Sequence, residues 1–390
     1  MNILVINAGS SSIKTVLYRQ DGESLVRVLS CSASNIGQER ATIDVTKDDT
    51  PVSTPTPLSN HTDALSAIMS ALGALVADIG VVAHRIVYGG EKYHQPTDIT
   101  DEVVTDLMAL SDFDPQHAPL SLAIITALRT QQPTLRQVAC FDTSYFHNVP
   151  QLAQIVPIPK KYREAGIRRY GYHGLSYQYL SETFGELAGE GARRGRVIYA
   201  HLGSGSSMAA TLNGVPIDMT MGLTPTSGLM MGSRTGDVDP SLAWVLAKKS
   251  GLSLDDYQRM INQESGLLAV SELSTDMYAL LQQQASNPQA ALAVELFCYQ
   301  ARKAIGSLAT TIGGLDSLVF SGGMGEQSAE IRRRICDGLE FLGITIDSAA
   351  NERHDRLISS IESKTGVHVL PTDESISIAR SITQSKTTKG

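Results

Sequence analysis

Two short turns rich in glycine and serine stand between β-prone runs, NAGSSSIK from Asn7 and HLGSGSS from His201. Short side chains let backbone N–H groups come close to phosphate oxygens, and hydroxyls add donors with little bulk. A plain polar hairpin uses the same residues, so either turn alone leaves that alternative open. Set under one another, Gly9 falls on Gly203, Ser10 on Ser204 and Ser12 on Ser206. A matched pair of such turns points to a duplicated unit and to a phosphate chain held at two places. Lys14 brings positive charge beside the first turn, or is a solvated strand residue. A third stretch, SGGMGE from Ser321, follows a strand-like run and precedes a helix. There, backbone donors and a helix N-terminus favour an anion.

The elements that position these turns are legible from periodicity. Strands are expected at 3–7, 13–18, 26–32 and 41–45, then a helix at about 61–79 and a strand at 81–85. A helix near 120–129 stops before Pro133, and a strand follows at 137–141. Between them, DDTPVSTPTP from Asp48 reads as a surface loop rich in proline and threonine. The second half begins again with strand, turn and strand at 196–211. Next come a long helix at 288–312, a strand at 317–320, a helix from about 328, a strand at 367–370 and a last helix at 373–383.

The chain has 390 residues, 42% hydrophobic and 18% charged, enough for two domains with cores of their own. A net charge of −8 argues against a nucleic-acid partner. The N-terminus enters a strand at once and no apolar stretch reaches membrane length, so neither a signal peptide nor a membrane partner is expected. Cys31, Cys140, Cys298 and Cys336 form no C-x-x-C pair and read as free thiols in a cytoplasmic protein.

Further stretches run in order along the chain: HRIVYGG from His84, FDT from Phe141, RYGYHG from Arg169, MGLTP from Met221, GSRTGDVDP from Gly232, GGMGE from Gly322 and PTDE from Pro371. With the two serine turns they cover nearly the whole sequence. The chain resembles the acetate kinases, of the superfamily that also holds sugar kinases, actin and the heat-shock chaperone ATPases. The resemblance implies an α/β fold of two duplicated ribonuclease-H-like domains facing across an active-site cleft. The N-terminal domain would be 1–147 with 376–390, and 148–375 the C-terminal, nucleotide-binding domain.

The implied reaction is reversible phosphoryl transfer between ATP and acetate, giving acetyl phosphate and ADP, with Mg²⁺ as cofactor and Mn²⁺ as an alternative. A homodimer is usual for the family. Short carboxylic acids have pKa values of about 4 to 5, so the nucleophile is already ionised at neutral pH. Catalysis then rests on positioning and on neutralising the transferring phosphoryl group. The resemblance assigns that work to Arg85 and Arg234, with His173 as a donor to the transition-state oxygens and His117 near the substrate. An arginine fork can grip carboxylate and phosphoryl oxygens together. Asp142, Glu374 and Asn7 match the Mg²⁺ site. Nucleotide contacts fall on Asn7, Ser10, Ser12, Lys14, His201, Gly203, Ser204, Gly205, Asp276, Met277, Tyr278, Gly323, Met324 and Gly325. The acid pocket falls on Arg85, Val87, Gln116, Tyr172 and Pro225. Without the resemblance, a lone histidine fits a structural role and an arginine a surface one. His61, His94, His147, His354 and His368 are left there.

The sequence departs from the family at several of these residues. Ser204 and Gln327 stand where asparagine is usual, Tyr172 where phenylalanine is, Gln116 where an apolar residue is, and Tyr278 where an arginine is. Gln116 and Tyr172 would make the acid pocket more polar, which favours acetate, and Tyr278 could stack on the base. Alternatives to acetate kinase are a propionate or other short-chain acyl kinase, and a non-catalytic ATP-binding module of the superfamily.

Overall fold

Ile3, Leu4, Val5 and Ile6 are all at most 1% exposed, although they point alternately to the two faces of their strand. A run buried on both faces belongs at the centre of a sheet covered on both sides. That strand is β1 (Asn2–Ala8), and the computed structural model describes residues 1–47, 50–115 and 117–384. By contacts the chain divides into two units, Met1–Tyr145 with the stretch from Asp373, and Phe146–Thr372.

The first unit holds β1, β2 (Ser12–Asp21), β3 (Ser24–Ser34), β4 (Thr42–Lys47), β5 (Thr50–Pro55), β6 (Ile79–Ile86), β7 (Thr97–Asp98) and β8 (Gln137–Phe141). Their order in the sheet is β5-β4-β3-β2-β1-β6-β8-β7. β1, β6 and β8 are parallel neighbours, and β2 to β5 form an antiparallel flank. The helices His61–Leu72 and Ala118–Gln131 bury Leu65, Ile68, Ile124 and Leu128 in one core with Leu4, Ile6 and Val82. Asn60 starts the first of them by accepting from Asp63 N at 2.9 Å. The helix Glu374–Gln384 packs on β1 and β6 with Ile378 and Ile382 inward.

The second unit holds β9 (Arg196–Leu202), β10 (Ser206–Leu212), β11 (Val215–Met219), β12 (Ser317–Ser321) and β13 (Gly366–Val369), in the order β11-β10-β9-β12-β13. β9, β12 and β13 are parallel. The helix Pro288–Thr311 buries Val294, Phe297, Cys298, Ala301, Ile305 and Leu308, one stripe of a 3.6-residue period. Asn287 caps it ahead of Pro288 at the first turn. The plan repeats that of the first unit, where β3-β2-β1-β6-β8 has the same antiparallel and parallel halves. In both units the opening hairpin closes through three residues, 9–11 and 203–205.

Some elements differ from the expectation. Thr50–Pro55 is a strand, not a loop, and pairs with β4 at the sheet edge with every residue exposed. Proline is tolerated there because an edge strand needs partners on one side only, and full exposure leaves no apolar pattern to read. Asp48 and Asp49 lie outside the described residues. The helix from His61 stops at Leu72, where Gly73 turns to φ 55°, and a 3₁₀ stretch Gly73–Asp78 follows. The glycine-rich turn after β12 is itself helical, Gly322–Gln327, and the next helix is Ala329–Cys336. Gly322 has φ 74°, and a Cβ there would meet the Leu202 carbonyl oxygen at 2.7 Å, so only glycine lets this turn sit against β9.

Candidate active site

Ligand sites in open α/β sheets lie beyond the carboxyl ends of parallel strands, because loops and helix N-termini converge there. In the first unit, Asn7 stands near the end of β1, Arg85 near the end of β6, and Asp142 just after β8. Glu374 opens the helix that packs on β1 and β6. These four side chains meet. Arg85 donates from Nη2 to Asp142 Oδ2 at 2.5 Å and from Nε to Oδ1 at 3.2 Å, a bidentate fork. Its Nη1 reaches Asn7 Oδ1 at 3.1 Å, and its Nε lies 3.5 Å from Glu374 Oε2. Asn7 Nδ2 donates to the same Glu374 oxygen at 3.4 Å.

Asp142 is only 1% exposed. Burial pushes its carboxyl up to about 6 and Glu374 pushes the same way, against the pull of Arg85. Burial draws the Arg85 guanidinium down, but Asp142 and Glu374 together hold it above its ordinary range. The site therefore carries negative charge beyond what one arginine balances. His117 lies in the same unit, and its Nδ1 donates to the buried Asp114 at 2.7 Å.

In the second unit the turn 203–205 lies against two histidines. His173 opens the helix Gly174–Ala188 with φ 59°, and its Nδ1 is 2.8 Å from Ser207 Oγ, which also bonds to Tyr177. His201 Nδ1 is 2.8 Å from Ser176 Oγ, which bonds on to Thr372 at 2.7 Å. The two imidazoles face one another with centroids 4.5 Å apart. A Cβ on Gly205 would lie 3.3 Å from His173 Nε2 and 3.7 Å from Arg234 Nη1, and one on Gly203 would lie 3.7 Å from His201 Nε2. Both histidine tips and the Arg234 guanidinium thus converge on the turn. Arg234 itself donates to the Pro225 carbonyl at 3.2 Å.

Beside this turn opens a cavity of about 630 Å³, lined by Gly203, Ser204, Asp276, Met277, Tyr278, Gly323 and Met324 among others. All of these were expected at a nucleotide. Asp276 also caps the helix Met277–Gln283 through Tyr278 N, and the Tyr278 side chain is 70% exposed. Gly325 is buried, and its carbonyl accepts from Arg332. Asn7, Ser10, Ser12 and Lys14 belong to the first unit, where Ser10 and Lys14 are exposed. Of the acid-pocket residues, Val87 lies in the first unit and Tyr172 and Pro225 in the second. Tyr172 is buried and its hydroxyl donates to the Leu223 carbonyl at 2.6 Å, so the oxygen it carries in place of a phenylalanine hydrogen is engaged internally. Gln116 lies outside the described residues.

The sequence model of the acetokinase family matches residues 2–380. The chain belongs to that family. The acetate kinase of Rhodopseudomonas palustris (strain TIE-1) is 40% identical to it over 389 residues, with 97% of each chain covered. The propionate kinase of Citrobacter rodentium (strain ICC168) is 39% identical over 388 residues, covering 97% of this chain and 96% of its own. Among solved structures, the acetate kinase of Porphyromonas gingivalis superposes with a TM-score of 0.87 at 34% identity, covering 98% of this chain and 99% of its own. The propionate kinase of Francisella tularensis superposes at 0.91 with 31% identity, covering 97% and 98%. The chain is accordingly an acetokinase-family enzyme with the family's mixed α/β fold. Among the described residues no helix is long and apolar enough to cross a membrane.

Several supporting residues of this acetokinase site were not anticipated. Asp114 orients His117, Ser207 and Tyr177 orient His173, and Ser176 with Thr372 orients His201. His61 fixes the first serine turn, with Nε2 donating to the Gly9 carbonyl at 2.8 Å. The three-residue spacing of Asp114 to His117 was a signal open to a sequence reading. Ser207 offered none.

Proposed function

We propose that the enzyme is an acetate kinase that transfers the γ-phosphoryl group of ATP to acetate and runs in both directions. The observation that carries the reading is the meeting of Asn7, Arg85, Asp142 and Glu374 at the carboxyl ends of adjacent parallel strands. The acid arrives ionised and needs no general base. Arg85 and Arg234 neutralise charge on the transferring group and align the acid, and His173 Nε2 donates to its oxygens. Ser207 and Ser176 keep the two imidazoles in place through their Nδ1 atoms.

Two carboxylates and an amide oxygen are hard donors of the kind a small divalent cation takes, and Asn7 and Glu374 already share a hydrogen bond beside Asp142. Mg²⁺, or Mn²⁺ in its place, fits Asp142, Glu374 and Asn7. When bound, it would shield the phosphate charge. The cavity beside Gly203 and Ser204 takes ATP or ADP, with the phosphates toward the turn. We extend the reading to a cytoplasmic homodimer, which sedimentation of the purified protein tests.

A propionate kinase is the second reading, favoured by the 39% identity to the Citrobacter rodentium enzyme. The test is a panel of short carboxylic acids with ATP and Mg²⁺, trapping the acyl phosphate with hydroxylamine. Acetate should give the highest kcat/KM. A panel with no acyl phosphate at all overturns the reading.

A further inference from the structure

Arg332 is 0% exposed, yet among the described residues no carboxylate receives its hydrogen bonds. It donates to the Gly325 and Glu326 carbonyls, to the side chain and carbonyl of Asn351, and to His354 Nδ1 at 3.0 Å. A guanidinium carries donors only, so Nδ1 of His354 must accept and the imidazole proton must sit on Nε2. Burial pushes Arg332 down to about 10, still far above neutrality, so it remains a cation. His354 holds φ 56°, a left-handed conformation that glycine adopts readily and histidine rarely. His354 also lines the 630 Å³ cavity.

We infer that His354, with its tautomer fixed by Arg332, is a hydrogen-bond donor that reads an acceptor nitrogen of the nucleobase. The inference rests on the nucleotide reading of this cavity. The wall that carries His354 also carries Glu352, whose carboxylate repels a phosphate chain, beside Glu330, whose carboxylate is already paired with Arg333 and Arg334. The opposite chemistry, short side chains and open amides, belongs to Gly203 and Ser204. The base therefore falls at the carboxylate wall, where an Nε2–H can meet a ring nitrogen. Arg332 is the positioning residue, because it acts only through His354 and the carbonyls it ties together.

The experiment measures KM for ATP, for its 1-deaza, 3-deaza and 7-deaza analogues and for 2′-deoxy-ATP, in the parent and in His354→Gly. Glycine suits the left-handed backbone, so that variant keeps the fold, and its melting temperature checks this. One lost hydrogen bond is worth about fivefold to tenfold in KM. The parent should lose that factor against one deaza analogue. His354→Gly should lose it for ATP and show no further loss with that analogue. Arg332→Lys, which keeps the charge but not the fork, should weaken discrimination against the same analogue. A Lys variant that weakens all nucleotides equally overturns the positioning role. An unchanged ATP KM in His354→Gly overturns the inference, as does a loss confined to 2′-deoxy-ATP or shared equally by every analogue. A third variant, Gly323→Leu, separates the two readings. Gly323 lines the cavity and a Cβ there meets nothing within 4 Å, so there is open space for the first atom of a larger side chain. It should raise the ATP KM at least tenfold. If it does not, the cavity is not the nucleotide site, whatever His354 does.

Discussion

Gly205→Ala is a small change with a large expected effect. The added methyl would lie 3.3 Å from His173 Nε2, 3.4 Å from its Cε1 and 3.7 Å from Arg234 Nη1. The contact with Nε2 is tighter than ordinary, so the His173 ring must give by a few tenths of an ångström, while the contact with Arg234 is an ordinary one. The backbone at Gly205 is outside the left-handed region, and alanine there shrinks the unfolded ensemble, a gain of about 0.4–1 kcal/mol that offsets the crowding. The melting temperature should therefore move by less than about 4 °C. Activity should not survive so well. In the proposed reaction the methyl enters the space beside His173 Nε2 and Arg234 Nη1 that the phosphoryl oxygens would take, and so disables at least one donor. Loss of one preorganised donor costs about 3–4 kcal/mol, or a factor of about 10²–10³ in kcat. The assay is acyl phosphate formation from ATP and acetate, beside differential scanning of the same preparations. Gly306→Ala, whose Cβ meets nothing within 4 Å, is the control. A Gly205→Ala enzyme with kcat within about threefold of the parent would show that the phosphoryl group does not pass between His173 and Arg234.

Arg85→Ala should lower kcat by about 10²–10³ and also destabilise the protein by about 3–5 kcal/mol, because Asp142 and Glu374 lose their buried partner. Arg234→Ala gives up a carbonyl bond in place of a bidentate ion pair. It should show a comparable kcat loss with a smaller fall in melting temperature, and equal falls would refute the contrast. His84 is buried against Gln137 and held down to about 4, below its unfolded value of about 6.5, so folding favours the neutral ring. Its contribution is complete above about pH 6.5 and fades as pH falls toward about 4, by about 2 kcal/mol between neutrality and pH 5. Guanidinium unfolding of His84→Gln at the two pH values should show that much less acid loss than the parent, and an identical loss would count against it. Adding one methylene to the acid should change kcat/KM by about 1–3 kcal/mol at most. A butyrate value above that for acetate would sink the assignment of the acid.

The two serine turns were legible because their residue types repeat along the chain, and the parallel strands because β1, β6 and β8 are continuous apolar runs. β5 was not, because two prolines and complete exposure erase the alternation that marks a strand. The residues that could meet a phosphoryl group could be named from motifs, but what holds them could not. Ser207 reaches His173 across 34 residues of sequence, and such a pair leaves no local period. The stretch IRRRIC, from Ile331, carries three consecutive arginines. In the fold Arg333 and Arg334 do pair with Glu330, while Arg332 is wholly buried. Helical geometry turns consecutive residues about 100° apart, so one of three faces the core whatever its charge.

In the proposed reaction a carboxylate oxygen of the acid attacks the γ-phosphorus of ATP directly. Acetate labelled with ¹⁸O in both oxygens, incubated with ATP, Mg²⁺ and the enzyme, tests this by the isotope shift of the phosphorus resonance. The expected product is acetyl phosphate with ¹⁸O in the bridge between carbon and phosphorus, formed in step with ADP. Unlabelled inorganic phosphate accumulating with ADP, and no labelled acyl phosphate, would mean that water is the acceptor and would contradict it.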